Sequence, residues 1–162
     1  MNLILAIDPG YDRVGVAIVK QGRPSELLHS ECIETNKKDL QEKRLRDVYD
    51  RVTTVIQKWQ PTHLALETLF FSVNKKTAIK VAEFRGVIVL LAGLHSLPLL
   101  ELSPQEVKQA MTGVGNASKE QVQKMVALTL KLDINGKIDD EIDAIALGFA
   151  AAETLRVNSL SR

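Results

Sequence analysis

The chain carries one cysteine, Cys32, so no internal disulfide can form, and this fits a reducing cytoplasm. Cys32 falls in an apolar-patterned stretch, which reads as core packing rather than as a nucleophile. No basic leader precedes the first apolar run, and Asp8 interrupts that run early, which argues against a signal peptide. The longest apolar stretch, Gly86 to Leu94, is too short to span a bilayer, so no membrane is expected. A large charge of either sign is also missing. The formal net charge of +1 does not announce a nucleic-acid binder, although it leaves room for acids pooled in one place and lysines around them. Three histidines, His29, His63 and His95, are scattered without ligand spacing. No repeat, low-complexity tract or linker divides the 162 residues, which read as one domain, 1–162, long enough to bury a core.

What is present alternates in period. Leu3 to Ile7 is an apolar run of strand length closed by Asp8-Pro9-Gly10. Val14 to Val19 and Leu27 to Glu34 follow as second and third strands, and short turns make the three an antiparallel meander. Asp39 with Glu42 resembles a capping box opening a helix whose face is Leu45, Val48, Tyr49, Val52, Ile56 and Trp59, stopped by Pro61. His63 to Leu66 is a short strand ending on Glu67. A helix over roughly Lys75 to His95 is apolar nearly all round in its second half, as a helix buried in the monomer or against a second copy would be. Pro98 to Leu102 is a fifth strand. Ser103-Pro104-Gln105-Glu106 and Ser118 to Gln121 open two further helices, and a last one runs from about Asp140 to Arg156.

This order predicts an α/β fold: a five-stranded mixed sheet with helices on both faces. A right-handed crossover after the meander carries the fourth strand to the free side of the first. The ends bearing Asp8 and Glu67 then lie side by side. That is a ribonuclease H-like arrangement.

Asp140 and Asp143 are three apart on the first turn of the last helix and project from one face, with Ile142, Ile145, Ala146 and Phe149 opposite. Each acid has an ordinary reading alone: Asp8 as a turn former, Glu67 as a strand-end charge, the two aspartates as helix N-terminal acids. Their convergence from three segments carries the claim. Clustered carboxylates repel, and divalent cations relieve the repulsion. Oxygen ligands without nearby His or Cys suit Mg2+ or Mn2+ rather than zinc. Two such ions, roughly 3.5–4 Å apart, can activate a water and stabilise a leaving oxygen at a phosphodiester. A divalent-metal-dependent nuclease is the expectation.

After Glu67 come Phe70 and Phe71, then Lys75 and Lys76, a composition suited to base stacking and phosphate contact. Thr112 to Lys119 is a Gly-containing loop running into a helix N-terminus, which can bind phosphate, with Lys108 and Lys119 on either side.

These residues resemble the RuvC-type Holliday-junction resolvases nearly end to end. The likeness runs through Ile7-Asp8-Pro9-Gly10, Glu67 with Phe70 beyond it, and Gln105-Glu106-Val107-Lys108-Gln109. It continues in Gly113-Val114-Gly115, Ala117, Lys119 and Gln121-Val122, and ends in Asp140-Glu141-Ile142-Asp143-Ala144-Ile145-Ala146. The first motif is shared with actin- and hexokinase-type phosphate-binding folds; the Val-Lys-Gln to Lys-x-x-Val stretch is more specific. The resemblance implies that Asp8, Glu67, Asp140 and Asp143 are metal-binding catalytic acids, that Lys108 and Lys119 assist at the scissile backbone, and that Phe70 wedges into the junction. It implies a homodimer making two symmetric nicks beside the RuvA and RuvB branch-migration proteins. Arg13-Val14-Gly15-Val16-Ala17 departs from that pattern, lacking an aromatic and a second glycine after Gly15. It looks closer to the YqgF-type proteins associated with RNA processing, so a YqgF-like RNA nuclease is the alternative. A phosphate-binding ATPase fragment and a catalytically dead junction binder are further readings; the first needs two such domains, and the intact acids oppose the second.

Overall fold

The computed structural model describes residues 2–68, 75–131, 134 and 136–160, apart from the side chains of 75–77, 159 and 160. Strands β1 (Leu3–Pro9), β2 (Arg13–Lys20) and β3 (Glu26–Glu34) form the meander. Helix α1 (Gln41–Trp59) then leads to β4 (His63–Glu67), α2 (Lys75–Leu94) and β5 (Leu99–Leu102). Helices α3 (Pro104–Thr112), α4 (Lys119–Leu130) and α5 (Asp139–Leu160) complete the chain. The sheet order is β3-β2-β1-β4-β5, antiparallel across β1, β2 and β3 and parallel from β1 through β4 to β5. The expected ribonuclease H-like sheet is the one observed. Among the described residues, no helix is long and apolar enough to cross a membrane.

Strand alternation assigns the two faces. Leu5, Ile7, Val16, Ile18, Leu64 and Leu66 point to one side, where α1 (Val48, Val52, Ile56) and α2 (Phe84, Ile88, Leu91) cover them. Ile4, Ala6, Ala17, Val19 and Ala65 point to the other, under α3, α4 and α5. The second face is built of smaller side chains. Ala17 pairs with Ala6 across β2 and β1, and Ala6 with Ala65 across β1 and β4, so three alanines form a row beneath α5. A Cβ at Gly15 would fall 1.8 Å from the carbonyl oxygen of Asp140, and one at Gly148 would fall 2.6 Å from Val19 Cγ2. The helix therefore seats where side chains have been removed. Flanked also by α3 and α4, it is buried on nearly every side from Ala144 to Ala152, not only along the single stripe expected.

Two helix starts are as the sequence predicts. Ser103 and Ser118 each accept the backbone N–H three residues on, and Glu106 and Gln121 return the bond. The box at Asp39 and Glu42 is not formed. Leu40 occupies the N-cap of α1 without a side-chain bond, and Asp39 pairs instead with Lys43 one turn along. A carboxylate beside a lysine at i+4 has a charged partner to prefer over a neutral N–H. Arg44, which the apolar stripe does not announce, is among the most buried side chains of α1.

We expect Gly15→Ala to lower stability by at least about 2–3 kcal/mol, because backbone rather than a movable side chain must yield. Urea unfolding measures this; a midpoint equal to that of the unaltered protein would show that α5 is not seated through Gly15.

Candidate active site

Asp8 shares the parity of Ala6, and Glu67 that of Ala65, so both acids emerge on the α5 face. The parallel register Ile7↔Leu66 puts them side by side one residue further on. The end of β4 is fixed from outside: Arg85 of α2 donates to the Glu67 carbonyl at 2.9 Å and pairs with Glu101, while Thr68 N–H donates to the Leu102 carbonyl at 2.9 Å. Sequence reasoning missed Arg85, because its role depends on how α2 crosses the sheet.

From above, the first turn of α5 brings Asp140 and Asp143. Asp143, Glu67, Lys108 and Lys119 line one cleft of about 250 Å³, floored by Pro104, Val107, Val122 and Ala146. Asp140 faces a second recess, with Gly10, Tyr11, Asp12, Arg13 and Lys37; a Cβ at Gly10 would lie 3.3 Å from its Oδ1. Lys119 Nζ donates to Asp143 Oδ2 at 2.8 Å and lies 3.5 Å from Asp139 Oδ2. Asp139, not foreseen as a participant, also accepts from Gln123 Nε2 at 3.1 Å.

Electrostatics bind the set together. Burial, and then the charges of Glu67, Asp143 and Asp140, push the Asp8 carboxyl up to about 8, against the pull of Lys119. Glu67 is raised by burial and by Asp143, with Lys108 and Lys119 opposing. Asp143 is raised by burial despite its bond to Lys119. For Lys119 burial acts downward, but the bond and charge of Asp143, with Asp139 behind, carry it above its ordinary value. The acids are thus neighbours in energy, yet the arrangement is open. Among the described residues, no three His, Cys, Asp or Glu side chains are close enough together to hold one ion. The donor chemistry still fits a hard divalent cation: every available ligand is a carboxylate oxygen, and Asp8 lacks sufficient positive charge nearby.

The loop before α4 is bonded internally. Thr112 Oγ1 accepts from Val114 N–H at 3.1 Å, Gln109 Nε2 donates to the Gly113 carbonyl at 2.7 Å, and the capping box engages Ser118 and Gln121. Side chains thus already take the backbone N–H groups of Val114, Ser118 and Gln121. Phe70 and Phe71 lie outside the described residues; Lys75 and Lys76 open α2, their side chains outside the description too. Cys32 is free and half-buried opposite Gly15, and burial pushes its thiol up to about 11, which suits packing rather than nucleophilic attack.

The family model for the crossover junction endodeoxyribonuclease RuvC matches residues 4–151. The chain belongs to the RuvC family. The crossover junction endodeoxyribonuclease RuvC of Moorella thermoacetica is 42% identical over 152 residues, covering 93% of this chain and 90% of the relative. That of Alkaliphilus metalliredigens is 39% identical over 159 residues, covering 98% and 97%. A solved structure described as T. thermophilus RuvC in complex with Holliday junction substrate matches with a TM-score of 0.90 at 29% identity, over 98% of this chain and 97% of that one. Membership of the RuvC family decides against the YqgF-type alternative that the second strand suggested. Gly15, within that strand, is the residue the seating of α5 needs.

The raised Asp8 sets a pH dependence. Unfolded, Asp8 holds its proton only below about 4; folded, and free of divalent metal, it holds it up to about 8. Between those values the folded state binds more protons, so stability falls as pH rises through the window. We expect Asp8→Asn to raise the metal-free Tm at pH 8, with the gain shrinking as pH falls and vanishing toward pH 4. Calorimetry in EDTA across that range tests it; a gain independent of pH would refute the coupling.

Proposed function

We propose that this chain is a Holliday-junction resolvase that nicks four-way DNA junctions symmetrically, by phosphodiester hydrolysis at a site holding two Mg2+ ions, with Mn2+ able to substitute. The observation that carries the reading is the placement of Asp8 and Glu67, at the ends of adjacent strands, beneath Asp140 and Asp143 of α5, near enough that the charges of the other three raise Asp8. These four would hold the ions. The ions would supply the Lewis acidity that activates a water and stabilises the leaving oxygen. Lys119, held beside Asp143, and Lys108, near enough to lower Glu67, offer cationic donors to the phosphate being cut. Phe70, Lys75 and Lys76 follow directly on β4 and serve as wedge and phosphate contacts.

The assembly is a homodimer, because a two-fold enzyme matches a two-fold junction. The outer side of α2 supports this: Ile88 and Leu91 are buried in the monomer, while Ile79, Leu90 and Leu94 remain exposed at 66%, 57% and 60%. RuvA and RuvB are the partners in this reading, and the free Cys32 suits work in a reducing cytoplasm.

The test incubates the protein with a synthetic four-way junction, the matched duplex and a structured RNA, with and without Mg2+. Paired symmetric nicks in the junction alone, dependent on metal, are the expected result. Asp8→Asn should cut at least about 100-fold more slowly while still binding the junction in Ca2+. Cleavage of RNA with the junction intact would overturn the substrate. Leu90→Glu with Leu94→Glu should halve the mass seen by sedimentation, and an unchanged mass would remove α2 from the interface.

A further inference from the structure

Outside the carboxylate set, Arg44 is the charged side chain buried most deeply among the described residues. Its side chain is 1% exposed on the inner face of α1, at a position where Val48 and Val52 show that an aliphatic residue would pack. A buried guanidinium is costly unless its donors are used. They are used on the loop that follows β1 and on Thr35, which is bonded to it. Nη2 donates to the Tyr11 carbonyl at 2.6 Å and to Asp12 Oδ1 at 3.2 Å, and Nε donates to Thr35 Oγ1 at 3.0 Å. Thr35 N–H in turn donates to the Asp12 carbonyl at 3.2 Å. The guanidinium lies over the Tyr11 ring, 4.3 Å from its centroid, and Lys80 of α2 donates to the Tyr11 hydroxyl at 2.8 Å. The loop so gripped, residues 10–12, joins β1 to β2. It continues the strand that bears Asp8, and it forms the wall against which the Asp140 carboxylate rests.

We propose that Arg44 is a positioning residue: acting with Thr35, it locks the loop after Asp8 so that Asp8 and Asp140 are held in the relative placement their shared chemistry requires. Arg44 touches neither carboxylate and takes no part in bond making. It acts through the backbone of Tyr11 and Asp12. Lysine at 44 keeps the charge but cannot reach three acceptors in one plane, so the loop loses its anchor while the buried charge stays partnered. Displacement of a reacting group by about an ångström costs on the order of 100-fold in rate, which sets the scale.

The inference rests on the proposed function, and the experiment separates the two. Arg44→Lys, Thr35→Val and Thr35→Ser are compared with the unaltered full chain in single-turnover cleavage of a four-way junction, junction binding in Ca2+, and the rise in Tm on adding Mg2+. Arg44→Lys and Thr35→Val should slow cleavage at least about tenfold. Junction affinity should stay within about twofold, and the Mg2+-induced rise in Tm should shrink. Thr35→Ser keeps the hydroxyl and should restore all three. Should Arg44→Lys not fold, the two Thr35 variants decide alone. Unaltered cleavage together with an unaltered Mg2+ response in Arg44→Lys or Thr35→Val overturns the assignment, as does a rate loss matched by an equal loss of junction binding. If the unaltered chain cuts no junction, the functional reading fails, and the Mg2+-induced rise in Tm still tests the clamp.

Discussion

Everything at the site depends on how closely α5 can lie against the sheet. Ala17, Ala6 and Ala65 form a row of small side chains across three strands, and Gly15 and Gly148 remove the last obstacles at either end. Close packing of this kind tolerates little deviation, because an interior at crystal-like density has nowhere to put an extra methyl group. The benefit is positional. With the helix down, Asp140 rests against the turn that follows Asp8, and Asp143 lines the same cleft as Glu67. Lift the helix by the width of one methyl and Asp140 leaves the turn after Asp8, as Asp143 leaves the cleft of Glu67.

The same seating concentrates like charge. Asp8, Glu67 and Asp143 are all shifted toward protonation, and the nearby lysines compensate only in part. A protein holds such a cluster because the rest of the packing over-determines it. Here that support is the apolar length of α5, sunk between sheet and flanking helices, together with the capping box that fixes Lys119 at the start of α4. Lys119 sits on the first turn of its helix and meets Asp143 on the first turn of another. Two helix starts therefore face each other across the cleft.

Much of this was legible in the sequence, and the divisions are physical. Strand and helix order, the caps at Ser103 and Ser118, and the two strand-end acids are written in local pattern, where propensity and period agree. The parity that puts Asp8 and Ala6 on one face is also local. The small-residue row is not, since Ala6, Ala17 and Ala65 become one feature only once the pairing register is known. Arg44 and Arg85 were hidden for a similar reason. Their partners lie 9 to 33 and 16 to 18 residues away along the chain, and a lone arginine within a helix looks like any solvated charge. Asp39 erred the other way: its spacing to Glu42 satisfied a rule that a lysine one turn later overrode.

The two faces of the sheet are unlike, and this bears on how the lineage can change. Beneath α1 and α2 the strands present Leu5, Ile7, Ile18, Leu64 and Leu66, large branched residues whose volume neighbours can share out when one of them alters. Beneath α5 there is little volume to redistribute. Drift should thus run at two speeds through one small molecule. The α1 and α2 layer can exchange leucine, isoleucine and valine over long divergence, while the alanine row and its glycines stay nearly frozen. In an alignment of distant relatives, this active site would be marked out by its smallest residues as clearly as by its acids.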